Sequence, residues 1–279
     1  WQTSTDFLLV AIPMFVMMGE ILLRAGITER MYDSIVKWLG WLPGGLMHSN
    51  IGSSALFAAT SGSSVATAAT IGTVALPQIK KRGYNESLFL GTVAAGGTLG
   101  ILIPPSINLI LYGLLTNTSV PELYLAGFLP GFLLALLFMS TVIIACMLNP
   151  KWGGEKLRHT WLERLGALPS LLPPLGIFAV VVGSIYAGIA TPTEAAALGV
   201  VAAMLLAFAN GKMSLGMMRQ AAEGTMRTTA MIMLIIIAAV FLNFVLSIIG
   251  LTQALTDFVT GLGWTPMQTM LMIVAVLVL

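Results

Sequence analysis

The sequence predicts an all-α protein that crosses a membrane several times. Three observations predict it. Hydrophobic residues fill 57% of the 279 positions and charged residues only 9%, against roughly 25% charged in a soluble domain. So few charges cannot clothe a soluble globule, and the mean hydropathy is +0.95. The apolar residues also run in long unbroken stretches rather than in the alternation of a transmembrane barrel. Helices then satisfy every backbone polar group within lipid. The same composition excludes a disordered chain and a soluble enzyme, and nothing in it suggests nucleic-acid binding.

The apolar segments are Phe7–Leu23, Ile51–Ile79, Leu88–Leu115, Leu123–Leu148, Leu171–Ile189, Ala195–Ala209, Thr228–Ile249 and Met267–Leu279. A crossing takes about 20 apolar residues. Ile51–Ile79 and Leu88–Leu115 are interrupted by Gly, Ser and Pro. The chain opens on Trp1 without Met and stops inside an apolar run, so it reads as the middle of a longer membrane protein.

All 13 basic residues fall in four groups: Arg24, Arg30 and Lys37; Lys80, Lys81 and Arg82; Lys151, Lys156, Arg158 and Arg164; Lys212, Arg219 and Arg227. Basic loops stay cytoplasmic. The sides alternate along the chain except once, where Pro43–Ile79 carries basic groups at both ends. That segment is expected to enter the membrane and return as a re-entrant hairpin; two short complete spans are the alternative. The tryptophans Trp1, Trp38, Trp41, Trp152, Trp161 and Trp264 sit at segment edges, where indole rings prefer the interface.

Two stretches resemble each other. Gly26–Pro43 and Gly250–Pro266 each follow an apolar span, each is amphipathic, and each ends in Gly-Trp-x-Pro. The first is rich in Lys and Arg and the second has none, which places them on opposite faces. Related halves of opposite orientation mark an inverted-repeat transporter; chance likeness of two amphipathic helices is the alternative. Both stretches are expected to lie flat at the interface.

The first interruption reads Thr60-Ser-Gly-Ser-Ser-Val-Ala-Thr67. Unpaired backbone in lipid costs several kcal/mol per group (~2–7) and survives only where it lines a cavity or meets a ligand. Gly62 permits a sharp turn. Ser61 and Ser63 offer hydroxyl oxygens of the kind a hard cation prefers, while Ser63 and Ser64 stand where a helix starts and its amides face an anion. A simple helix cap with tight packing is the other reading. The second interruption, Gly96-Gly-Thr-Leu-Gly-Ile-Leu-Ile-Pro-Pro-Ser106, predicts unwinding around Gly100–Ile103 and a restart near Pro105, or else a plain proline kink. Thr98 and Asn108 add polar groups. The two interruptions are expected to meet at the bilayer midplane.

In Thr191-Pro-Thr-Glu194, either Thr191 or Thr193 caps a helix starting at Pro192, with Glu194 in its first turn; a turn between spans reads equally well. Glu20, one turn from a cytoplasmic helix end, reads as a snorkelling carboxylate. The single cysteine, Cys146, excludes an internal disulfide, and the only histidines, His48 and His159, both flank apolar segments, so a histidine metal or proton site is not expected. With no paired intramembrane acids, HExxH or Ser–His pair, an intramembrane enzyme is not expected.

The run SGSSVATAATIGTVALPQIKKRGYNESLFLGTVAAGGTLGILIPPSINLILYG resembles the large membrane subunit of tripartite ATP-independent periplasmic (TRAP) transporters, and so do GIATPTEAAALG and AIPMFVMMGEILLRAGI. The resemblance implies a multi-pass bacterial inner-membrane importer of organic acids, driven by sodium ions and using no cofactor. It implies a small membrane subunit and a periplasmic substrate-binding protein as partners. It also implies an elevator-type fold with two inverted repeats and two hairpins. Carried over, sodium is expected at Ser61, Ser63 and Gly100. Substrate is expected at Ser63, Ser64, Thr98, Pro105, Ser106 and Asn108, with Gly62, Pro104, Thr191, Pro192, Thr193 and Glu194 as structural positions. The chain then divides into a helix and scaffold arm (1–43), a transport core (44–120), a helix and cytoplasmic linker (121–170), the start of the second repeat with its arm (171–266), and a second hairpin that begins at 267–279. A sodium–carboxylate symporter working without a binding protein is the alternative.

Overall fold

In the computed structural model the described residues are 7–155 and 157–278. Trp1, Lys156 of the third basic group and Leu279 at the end of the last segment lie outside them. The chain folds as two units, Trp1–Thr229 and Ala230–Leu279.

Helix follows helix, with no strand among the described residues. A 3-10 turn, Phe7–Val10, leads into α1 (Ala11–Arg24). Gly26, at φ +69°, redirects the chain into α2 (Ile27–Leu39), which buries Ile27, Met31 and Ile35 at helical spacing. The hairpin is α3 (Leu46–Ser61) and α4 (Ser64–Ala75), with the short α5 (Gln78–Arg82) after it. The second interrupted segment is α6 (Glu86–Leu102) and α7 (Ile107–Thr116). Then come α8 (Val120–Leu148), α9 (Trp161–Ala167), α10 (Leu172–Tyr186), α11 (Pro192–Ala209) and α12 (Leu215–Ile248). The chain continues into α13 (Leu251–Gly261) and α14 (Pro266–Val278).

Five stretches are long and apolar enough to cross a membrane: Phe7–Arg24, Val120–Leu148, Trp161–Tyr186, Pro192–Ala209 and Leu215–Ile248. Taken together as one broken span, the pair α6–α7, bent by 40°, makes a sixth. The fold is thus the all-α, multi-pass class the composition predicts. Side chains that face outward are apolar, as lipid requires: Leu129, Phe132 and Leu133 on α8 are all more than half exposed.

Two boundaries differ from the hydropathy reading. The hairpin's first arm begins at Leu46 rather than Ile51, because His48, Ser49 and Asn50 are helical and fully buried. Asn50 explains how such polar side chains survive there. Its Oδ1 accepts from the Tyr32 hydroxyl at 2.7 Å, and its Nδ2 donates to Thr92 Oγ1 at 3.0 Å. His48 Nε2 bonds the Pro43 carbonyl at 2.7 Å. Similarly, α12 begins at Leu215, well before Thr228, and its charged first turns carry an Arg219–Glu223 pair one turn apart.

The basic groups gather at one end of the first unit. Arg30 donates to Asn210 Oδ1 at 2.6 Å, beside Lys212. Ser34 donates to the Ala167 carbonyl at 2.8 Å. The Glu155 amide donates to the Arg82 carbonyl at 3.2 Å, and the Asn85 amide to the Trp152 carbonyl at 3.3 Å. The Leu46 amide, at the start of the hairpin, donates to the hydroxyl of Tyr84, just beyond its end, at 3.0 Å. The hairpin therefore leaves and returns at the same end, as the charge pattern requires. The core forms where both hairpin arms pack on α6, around Phe57, Ile71, Phe89 and Leu99.

Taken each by itself, α2 and α13 start alike: Gly26 and Gly250 both precede them in the left-handed region, at φ +69° and +75°.

Candidate functional site

The hairpin turns at Gly62, whose φ of +62° lies in the left-handed region that favours glycine. Ser63 follows in extended backbone and caps α4, its Oγ accepting from the Ala66 amide at 3.3 Å. Thr67 Oγ1 donates to the Ser63 carbonyl at 2.7 Å and lies 3.1 Å from Ser61 Oγ. A hydroxyl has one proton. Since that of Thr67 goes to Ser63, Ser61 Oγ is the donor of the pair and keeps its lone pairs free. A buried hydroxyl in that state can accept a further hydrogen bond or offer its oxygen to a cation.

The second segment breaks later than the glycines suggest. Contrary to the expected unwinding over Gly100–Ile103, α6 stays helical through Gly100 to Leu102; the break is Ile103–Ser106, with a cis Pro104–Pro105 bond. The next helix restarts close to Pro105, as expected: it is capped by Ser106 and begins at Ile107. The reason for the late break is what Gly100 does. A methyl group at its Cβ position would fall 2.8 Å from both Ser63 C and Ser64 N, so its bareness serves close approach rather than unwinding. Gly97 and Gly96 do the same against Ala68 and Ser54, with Cβ positions 2.7 Å and 2.6 Å from those side chains. The prolines act on carbonyls instead. Pro104 and Pro105 have no N–H, so the carbonyls of Gly100 and Ile101 lose their helical donors. Ser106 Oγ donates to Ile101 O at 2.6 Å, while the Gly100 carbonyl has no such replacement among the described residues.

The two interruptions meet. The Ile107 amide donates to the Gly62 carbonyl at 3.1 Å, and the Gly62 Cβ position lies 2.6 Å from the Pro105 carbonyl oxygen. The hairpin tip thus stops at the break of the α6–α7 span, with the ten residues of α7 still to follow.

Ser61, Gly62, Ser63, Ser64, Gly100, Pro104, Pro105 and Ser106 therefore form one locus. Thr98 is exposed and spends its proton on the Ala95 carbonyl. Asn108 is exposed on the first turn of α7. The Thr191–Glu194 motif is a capping box: Thr191 is the cap, Pro192 the first helical residue, and Glu194 Oε2 accepts from the Thr191 amide at 2.7 Å. Thr193 is buried and donates to the Phe7 carbonyl at 3.4 Å. None of these side chains bonds to the hairpin tip among the described residues. Thr191→Ala is accordingly expected to cost on the order of 1 kcal/mol of stability. The checking measurement is the unfolding transition of the detergent-solubilised full-length protein.

Sequence reasoning left two residues out of this site. Thr67 orients the Ser61 hydroxyl. Glu20 is not a free snorkelling side chain: it pairs with Arg24, and its side chain is 17% exposed. Its neighbour Gly19 lies against Ser61, the Cβ position 3.0 Å from Ser61 Cβ. A carboxylate next to a glycine within an apolar run is the signal that marks it.

The whole chain, residues 1–279, matches the model of the tripartite ATP-independent periplasmic transporter DctM component. It is 35% identical to the C4-dicarboxylate TRAP transporter large permease protein DctM of Pseudomonas aeruginosa, over 100% of this chain and 65% of that protein. It is 32% identical to the ectoine TRAP transporter large permease protein TeaC of Halomonas elongata, over 90% of this chain and 58% of that protein. Identity to the sialic acid TRAP transporter large permease protein SiaM of Vibrio cholerae is 31%, over 96% of this chain and 62% of that protein. The chain thus spans somewhat under two thirds of the length of the relatives it matches. A membrane-spanning helical fold, a hairpin meeting a broken helix, and this match together place the chain in the DctM family of TRAP transporter large permease components.

Proposed function

We propose that the protein to which this chain belongs carries out sodium-coupled import of an organic acid across the bacterial inner membrane. It works with a small TRAP membrane subunit and receives substrate from a periplasmic binding protein. The observation that carries the reading is the junction of the Ser61–Ser64 tip with the Pro104–Pro105 break. That junction concentrates free oxygens, the Ser61 hydroxyl and the Gly100 carbonyl, beside a helix start at Ser64. Hard cations take oxygen ligands, and helix N-termini take carboxylates. Ser61, Ser63 and Gly100 hold sodium. Ser63, Ser64, Pro105 and Ser106 face the substrate carboxylate, with Thr98 and Asn108 at the edges of its path. The three relatives are named for C4-dicarboxylate, ectoine and sialic acid, all of which carry a carboxylate, and this supports the substrate class.

A tip that ends inside a span supports a re-entrant hairpin over two complete short crossings. Bound sodium lowers the cost of bringing an anion to that depth, so the two ligands bind cooperatively. In the elevator reading, the core 44–120 slides against the arm 1–43. The Tyr32–Asn50 hydrogen bond then crosses the sliding boundary and breaks or is exchanged during each cycle.

Ser61→Ala tests the sodium assignment in the full-length permease with its small subunit. The half-saturating sodium concentration is expected to rise about tenfold, equivalent to the loss of about 1.4 kcal/mol, while expression is retained. An unchanged sodium dependence would remove Ser61 from the site.

A further inference from the structure

On the α1 side of the hairpin tip lies a cavity of about 10 Å³, lined by Gly19, Glu20, Ser61, Ser63 and Thr70 among apolar neighbours. Roughly 10–15 Å³ is the smallest space that holds one water-sized body. Glu20 is enclosed there from three directions. Arg24, one turn on, pairs with its Oε2. Gly224 of α12 runs across it, with a Cβ position only 2.6 Å from Oε2 and 2.9 Å from Oε1. The hairpin closes the third side. Oε1 has no hydrogen-bond partner among the described residues. An ionised carboxylate inside a membrane protein is costly unless something answers its charge, and Arg24 is shared: it also feels the Glu223 carboxylate, which is itself bonded to Arg219 at 2.9 Å.

We propose that Glu20 is the anionic ligand of a monovalent-cation site, completed by the hydroxyls of Ser61, Ser63 and Thr70, on the α1 face of the hairpin tip. The proposal rests on the sodium reading above and deepens it. It puts a full negative charge beside the sodium, from a helix outside the core. It also gives Arg24 an alternative partner in Glu223 when the cation takes Glu20. Sodium entry is thereby linked to the position of α12.

The test is the sodium dependence of uptake by the full-length permease with its small subunit in proteoliposomes, compared among Glu20→Gln, Arg24→Met and Ser61→Ala, with lithium and potassium as probe ions. The expected result is a half-saturating sodium concentration raised at least about tenfold in Glu20→Gln and not raised in Arg24→Met, which keeps the carboxylate. If Glu20→Gln does not accumulate, Glu20→Asp carries the test; a raised value supports the site and an unchanged one overturns it. An unchanged Glu20→Gln beside a shifted Ser61→Ala would overturn this site, making the cavity a water pocket, while leaving the hairpin reading standing. Equal losses in Glu20→Gln and Arg24→Met would reduce Glu20 to a structural ion pair. No shift in either Glu20→Gln or Ser61→Ala would overturn both readings.

Discussion

Gly62→Ala is expected to reduce uptake by the full-length permease at least about tenfold, whereas Gly83→Ala leaves uptake near normal. Both glycines sit in the left-handed region, at φ +62° and +68°. Alanine there costs each site roughly 1–2 kcal/mol of backbone strain. The difference is what the new methyl group meets. At Gly83 nothing lies within 4 Å, but at Gly62 the Pro105 carbonyl oxygen is 2.6 Å away. That oxygen belongs to backbone and cannot swing aside, so the hairpin tip must lift off the broken helix. Lifting it also breaks the bond from the Ile107 amide to the Gly62 carbonyl. Uptake assays paired with unfolding transitions separate the two effects: strain lowers stability in both variants, and loss of the junction lowers uptake only in Gly62→Ala. Equal behaviour of the pair would mean that the junction is not needed for transport.

Gly100→Ala and Gly91→Ala are expected to move stability in opposite directions, although both lie in α6. Alanine is the better helix former by about 1 kcal/mol. Gly91 has open space around its Cβ position, so Gly91→Ala stabilises by an amount of that order. At Gly100 the methyl group would lie 2.8 Å from Ser63 C and Ser64 N. Overpacking of a close contact costs typically about 1–3 kcal/mol, and here both neighbours are backbone. Gly100→Ala therefore destabilises on balance and separates the cap of α4 from α6. Unfolding of the solubilised full-length permease measures the sign directly. Stabilisation by Gly100→Ala would return Gly100 to the unwound role that its sequence context suggests.

The contrast between those two glycines explains how much of the site was legible. Gly62 announced itself because serines flank it within an apolar run, where only a turn fits. Pro104-Pro105 likewise guarantees a break, since neither residue donates a hydrogen bond. Thr191-Pro-Thr-Glu194 specifies its own cap by local chemistry alone. Gly100 is different, because a glycine in a helix serves unwinding and close packing equally well. The deciding fact is the backbone of Ser63 and Ser64, which is distant in sequence. Glu20 escaped for the same reason: snorkelling is the correct reading of a carboxylate near a helix end unless Gly224 and the hairpin enclose it. The early start of α3 was hidden because hydropathy counts His48, Ser49 and Asn50 as polar, while Tyr32, Thr92 and Pro43 answer two of them in the fold. The fold class needed none of these contacts, since 9% charge in 279 residues already excludes a soluble chain.

The central claim is that the meeting of hairpin and broken helix couples sodium to the movement of an organic acid. It is tested most directly by uptake of labelled organic acids into proteoliposomes holding the full-length permease and its small subunit. The inward sodium gradient is varied, and the cognate binding protein is added or omitted. The account predicts accumulation against a gradient only when both sodium and the binding protein are present. Accumulation with sodium alone would point to a stand-alone symporter, and uptake indifferent to sodium would contradict the assignment of Ser61, Ser63 and Gly100.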